Sequence, residues 1–143
     1  MATLATTPAA AAAPARIWTG RALSGLAAAF LLVDAGTKLV SPAFVAANSP
    51  EIGWSLDPVT IRTLGTLLIV PTLLYLWPRT ALLGAILLTG YLGGAIATHM
   101  RIGSPLFTHT LFGVYLALMV WGGLWLRSPA LRAVLPLMPG RRD

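Results

Sequence analysis

The chain has 143 residues, of which 57% are hydrophobic and only 10% charged, with a mean hydropathy of +0.79; a soluble domain carries about 25% charged residues. That balance excludes a water-soluble globular domain and describes a single-domain integral membrane protein whose main partner is the lipid bilayer. The formal charge of +6 is no nucleic-acid surface, because the arginines flank apolar runs, and the lack of cysteine excludes structural disulfides, thiolate metal sites and dithiol redox chemistry.

Apart from Met1 and Leu4, residues 1–15 are alanine, threonine and proline, without a charge. It lacks the basic start of a secretory signal peptide, and residues 1–15 read as a disordered cytoplasmic tail. Four apolar runs follow, each near the roughly 20 residues that span a bilayer. The first is Ile17–Val40. After a loop at 41–57 comes Pro58–Trp77, with Asp57 as N-cap and proline at the first helical position. Pro71 in its middle predicts a kink near residues 67–71. Only Pro78 and Arg79 separate this run from Thr80–His99, so the two form a tight antiparallel hairpin. A loop at 100–107 leads to the fourth run, Thr108–Leu126. Lipid supplies no water for unpaired backbone groups, which disfavours open strands. Residues 16–127 are therefore read as an all-α, four-helix transmembrane bundle. Residues 128–143 form a basic tail, in which Ser128–Pro139 predicts a short interfacial helix on anionic headgroups.

Orientation follows from the basic residues. With both termini on one side, that side holds Arg16, Arg21, Arg79, Arg127, Arg132, Arg141 and Arg142, and the other only Lys38, Arg62 and Arg101. The excess predicts cytoplasmic termini in a bacterial inner membrane, with loops 41–57 and 100–107 facing outward. The small-residue pairs Gly25/Ala29, Gly90/Gly94 and Gly113/Ala117 suit close packing inside the bundle, with a homodimer seam as the alternative. The five tryptophans and Tyr75 lie mostly near helix ends, as an interfacial aromatic belt does.

Against this background five ionisable residues gather at one end: Asp34, Lys38, His99, Arg101 and His109. Asp34 and Lys38 are four apart and share a helix face. A lone charge at the bilayer centre costs about 2.5–3.5 kcal/mol on insertion scales, and pairing reduces this. Lys38 can snorkel outward, with Asp34 a turn deeper, and the hairpin topology sets His99 and His109 opposite them. Three readings compete: a structural network closing the bundle, a seat for a quinone or another amphipathic molecule, and metal or haem ligation. Imidazole exchanges protons near neutral pH, which suits a quinone head group. Two histidines are too few for zinc without Asp34 or water, so no metal is assigned. Ion conduction lacks a polar path through the helix centres. Arg101 reads as the headgroup end of its loop. No GxSxG, phosphate-binding glycine loop, HExxH or glycosidase carboxylate pair is present, which leaves a self-sufficient hydrolase without a motif.

The stretch LGAILLTGYLGGAIATHMRIG (83–103), then SPLFTH (104–109) and WGGLWLR (121–127), with DAGTKL (34–39) and PRTALLG (78–84), resembles the DoxX-like family of small four-helix membrane proteins. The resemblance spans roughly residues 18–136. Gly113 stands where many relatives have proline. The family takes its name from a small subunit of a thiosulfate:quinone oxidoreductase, so the resemblance implies a membrane subunit of a quinone-linked system, with an oxidoreductase partner and quinone as the candidate cofactor. It assigns no catalytic role to Asp34, Lys38, His99 or Arg101. The alternative is a non-catalytic scaffold or stress-related membrane protein.

Overall fold

Large apolar residues lie on both faces of this bundle, with Leu31, Leu68, Tyr75, Leu88 and Val120 buried and many leucines, valines and aromatics exposed, while small residues sit where helices meet most closely. The structure, a computed structural model, describes residues 9–49 and 53–135. Helix α1 (Ala9–Val40) buries Gly20, Ser24, Ala27, Ala28, Leu31 and Ala35, a stripe spaced by three and four residues. Its far side carries Leu26, Val33 and Val40, which are 64–81% exposed. Lipid is as apolar as leucine, so nothing drives such side chains inward. Helices associate by close van der Waals contact instead, and small residues permit it.

Helix α1 starts earlier than expected. Residues 9–15, read from the sequence as disordered tail, are helical, while residues 1–8 lie outside the described ones. Alanine has the highest intrinsic helix propensity, and extending an existing helix costs far less than nucleating one. At 1.5 Å per residue the 32-residue helix is roughly 48 Å long against a hydrocarbon core of about 30 Å.

The loop between the first two spans also holds an unexpected element, the short helix α2 (Pro42–Asn48), with Pro42 at its first position. Helix α3 (Pro58–Leu76) is capped as its sequence predicts: the Asp57 carboxylate accepts from the Val59 and Thr60 amides at 2.8 and 3.0 Å. Hydrogen bonds from the Thr60 hydroxyl and amide, then the Ser55 hydroxyl and Val59 amide, hold the Asp57 carboxyl well below the usual carboxylate range. Helix α3 runs unbroken through Pro71, which is buried. A short turn leads into α4 (Ala81–Arg101), where Thr80 donates its hydroxyl to Leu74 O at 2.8 Å. The fourth span opens with a π-helical turn (Leu106–Thr110) before α5 (Phe112–Arg127). Among the described residues four helices are long and apolar enough to cross a membrane, at residues 14–40, 58–76, 81–101 and 106–127.

Helix α1 packs on α3 and α5, and α4 packs on the same two. Helices α1 and α4 therefore stand on the diagonal of the bundle without approaching each other. Close contacts occur at Gly20, Gly65, Gly84, Gly113 and Gly123. At Gly84 an added Cβ would come within 2.3 Å of Tyr75 N, and at Gly123 within 2.5 Å of Ser24 Oγ. Gly25, Gly90 and Gly94, expected at such contacts, are not there, since a Cβ on any of them meets nothing within 4 Å. Motif spacing identifies a small-residue ridge but not the direction in which it faces. Of the expected glycines only Gly113 packs tightly, against Ile96.

The two ends of the bundle differ. At the end of the α3–α4 turn, Tyr75 is fully buried rather than interfacial. Its Oη lies 2.7 Å from Ser24 Oγ and 2.9 Å from Val120 O. A phenol has one proton, so it donates to the carbonyl and accepts from the serine. Arg127 lies over the same ring, its Cζ 5.1 Å from the centroid, and donates to Tyr75 O at 3.3 Å. This tyrosine ties α1, α3 and α5 together. Beyond α5, Ser128 caps α6 (Pro129–Val134) through the Leu131 amide. Arg132 turns back, donating to Trp125 O and Leu126 O at 3.0 and 2.7 Å. Its guanidinium thus satisfies carbonyls that the end of α5 leaves open. The remaining tail, 136–143, lies outside the described residues.

Candidate functional site

The other end of the bundle, beneath α2, contains a cavity of about 740 Å³, within the 300–1,000 Å³ of ordinary ligand sites. Helix α1 supplies one wall with Phe30, Asp34 and Lys38. These recur at i, i+4 and i+8 and so share a face. Lys38 donates to Asp34 in an i,i+4 ion pair, with the lysine side chain 16% and the aspartate 38% exposed. A turn deeper, the Phe30 ring meets Phe112 of α5 edge-on, centroids 5.0 Å apart.

Helix α4 supplies the opposite wall with Gly90, Tyr91, Gly94, Thr98 and His99. The way α4 ends orients the histidine. Gly103 takes φ +66°, a left-handed conformation natural to glycine after a helix. The chain then doubles back, so that Ser104 N donates to His99 O at 3.0 Å and Ser104 Oγ lies 3.0 Å from His99 Nδ1.

The second histidine depends on the π-helical turn. Pro105 O accepts from both His109 N (3.1 Å) and Thr110 N (3.2 Å), the latter closing the wider i→i+5 ring. Sequence reading placed His109 in the first turn of an α-helix, and the π geometry corrects this. It swings the imidazole toward α4, with ring centroids of His99 and His109 5.8 Å apart and planes at 58°. His109 Nδ1 is 2.9 Å from Thr108 Oγ1. From above, the Trp54 indole N–H donates to Thr98 Oγ1 at 3.3 Å, and the Trp54 ring joins Phe44 and Asn48 as the roof.

Four of the five sequence candidates thus line one space: Asp34, Lys38, His99 and His109. Arg101 does not. Its guanidinium fills the space beside Gly53, where a Cβ would come within 2.5 Å of Nη2. Tyr91 escaped sequence reading although it lines the cavity together with Asp34. Its spacing of eight residues from His99 was the available signal. Trp54 offered none, because loop geometry has no period. Among the described residues no group of three or more His, Cys, Asp or Glu side chains is placed to hold a metal ion. What the arrangement offers is an apolar, aromatic slot capped by groups that donate and accept protons.

Residues 22–123 match the profile of the DoxX-like family, well over half of the chain. The chain belongs to the DoxX-like family. No curated protein and no solved structure matches it. The DoxX-like region contains both cavity-bearing walls, from Phe30 on α1 to Leu116 on α5, and the hairpin between α3 and α4. It excludes the first turns of α1 and all of α6.

Proposed function

We propose that this DoxX-like protein is a small subunit of a quinone-linked redox system in a bacterial inner membrane. Its termini are cytoplasmic, and the cavity beneath α2 is the seat of a quinone-like molecule. The observation that supports this reading is the convergence of Asp34–Lys38, His99, His109 and Tyr91 on one aromatic-lined cavity within a lipid-embedded bundle. A quinone is a flat apolar ring with two carbonyl oxygens. Phe30 and Phe112 suit the ring, and the imidazoles and the lysine suit an oxygen. With Nδ1 of His99 engaged by Ser104, Nε2 is the nitrogen left for the ligand. Reduction of a quinone takes two electrons and two protons. The electrons come from a partner oxidoreductase, and this chain holds the ring and exchanges protons with it.

The test is extraction in native lipid followed by mass spectrometry of co-purifying small molecules. A quinone is expected with the wild type and is depleted at least tenfold with His99→Ala/His109→Ala. Absence of any quinone from the wild type, or equal retention by the variant, overturns the reading. One observation favours the scaffold alternative: Asp34 and Lys38 already satisfy each other. In that case Asp34→Asn and Lys38→Met lower stability and alter no ligand content.

A further inference from the structure

The end of the bundle that carries the α3–α4 turn gathers positive charge without an answering negative one. Arg16 and Arg21 of α1, Arg79 of the turn, Arg127 of α5 and Arg132 of α6 all stand there. Among the described residues the only carboxylates are Asp34 and Asp57, both at the opposite end.

Two of these arginines are fixed in place. Arg127 is half-buried, its guanidinium over the Tyr75 ring and its Nη2 on Tyr75 O. Its Nε is buried without a hydrogen-bond partner among the described residues, while Nη1, also without one, reaches the surface. Arg132 donates only through Nη1, to Trp125 O and Leu126 O, so its Nε and Nη2 stay open at the surface. Both guanidinium groups are thus anchored on the last turn of α5. Helix α1 brings a third. Gly20 packs so closely there that an added Cβ would lie 3.0 Å from Arg127 N, and Arg16, one turn earlier, shares that face of α1. A ring face and a carbonyl offer Arg127 only partial charges, and a partly buried cation left without an anion is costly.

The depth of the cluster points to the source of that anion. Trp18 and Trp77 are exposed at this same end, and Arg21 lies over the Trp18 ring, 5.3 Å from its centroid. Tryptophans exposed near the ends of membrane helices sit among the lipid headgroups. Guanidinium N–H forks match phosphate oxygens. We propose that Arg16, Arg127 and Arg132 form a binding site for the phosphate of an anionic phospholipid, which supplies the charge the chain lacks at this end. The site stands apart from the cavity and does not rest on the quinone reading.

The test is native mass spectrometry of the full chain released from nanodiscs of equimolar phosphatidylglycerol and phosphatidylcholine. Among lipids retained by the wild type, phosphatidylglycerol is expected to be enriched at least fivefold. In Arg127→Gln/Arg132→Gln, where glutamine can still donate to the carbonyls, enrichment should fall below twofold. Arg62→Gln, which removes a cation at the opposite end, should change nothing. Melting in phosphatidylcholine alone shows whether the double variant is folded. Should it not be, Arg132→Gln alone leaves the Tyr75 contact intact and is expected to halve the enrichment. Full enrichment in the folded arginine variants overturns the site. Equal loss in Arg62→Gln overturns it too, since net charge and not a built site then selects the lipid. Millimolar inorganic phosphate should leave the enrichment unchanged; its abolition means a site for a soluble phosphate rather than a lipid. No lipid preference in the wild type also overturns the proposal and leaves an acidic partner protein as the counter-charge.

Discussion

Asp34 and Lys38 show how a membrane sets the worth of a single pair. Exposed i,i+4 pairs contribute about 0.5 kcal/mol in water, whereas breaking a buried pair costs about 3 kcal/mol or more. With Lys38 mostly covered and Asp34 partly so, Asp34→Asn is expected to lower stability by about 1–2 kcal/mol. Adding Lys38→Met should restore part of the loss. Thermal unfolding in detergent across this double-mutant cycle checks it, and zero coupling would deny the pair any role in stability. Glycines give a sharper contrast at the same scale. On α4, Gly84→Ala drives a methyl against the Tyr75 backbone and should cost about 1–3 kcal/mol as α3 and α4 separate. Gly93→Ala, with open space around it, should be neutral or stabilising by up to about 1 kcal/mol through helix propensity. The same substitution nine residues apart is thus expected to move the melting temperature in opposite directions.

At the scale of the element, caps and turns were legible where chemistry is local. Asp57 before Pro58 announced the start of α3, and the side chain does cap it. Because its carboxyl titrates lower in the folded state than in the unfolded chain, the contribution is fully present above the unfolded value near 3.9. It declines as the pH falls from there through the lower folded value. Asp57→Asn keeps an N-cap and removes the titration, so the wild type should lose more stability than this variant between pH 4 and pH 2. Circular dichroism melts at each pH decide it, and parallel curves would deny Asp57 the effect. The π-helical turn was not legible in this way. Nothing in LFTHT distinguishes it from an α-helical turn. Its wider ring is closed by Pro105 O, which accepts from Thr110 N just after the chain reverses at Gly103. Helix α2 was missed because seven residues in a presumed loop carry too short a period to read.

For the whole molecule, the excess of arginine at one end predicts an orientation that the chain makes easy to test, since it contains no cysteine. Pro78→Cys in the α3–α4 turn and Phe107→Cys in the π-helical turn are both exposed positions. In intact cells a membrane-impermeant maleimide should label Phe107→Cys and spare Pro78→Cys, and the reverse pattern would invert the topology. The four-helix bundle itself followed from the sequence, because the cost of an unpaired peptide group in lipid leaves a 20-residue apolar run few options. So did the gathering of Asp34, Lys38, His99 and His109 at one end, which needs only helix boundaries and alternating direction. Which helices touch did not follow. In lipid, hydrophobicity does not mark the inner face, so the inward ridge of Gly20, Gly65, Gly84 and Gly123 and the outward one of Gly90 and Gly94 look alike in sequence. Only the tertiary structure placed α1 and α4 on the diagonal, separated Arg101 from the other four residues and left an open cavity between two walls. These are properties of distances between helices, set by the close fit of side chains far apart in the chain.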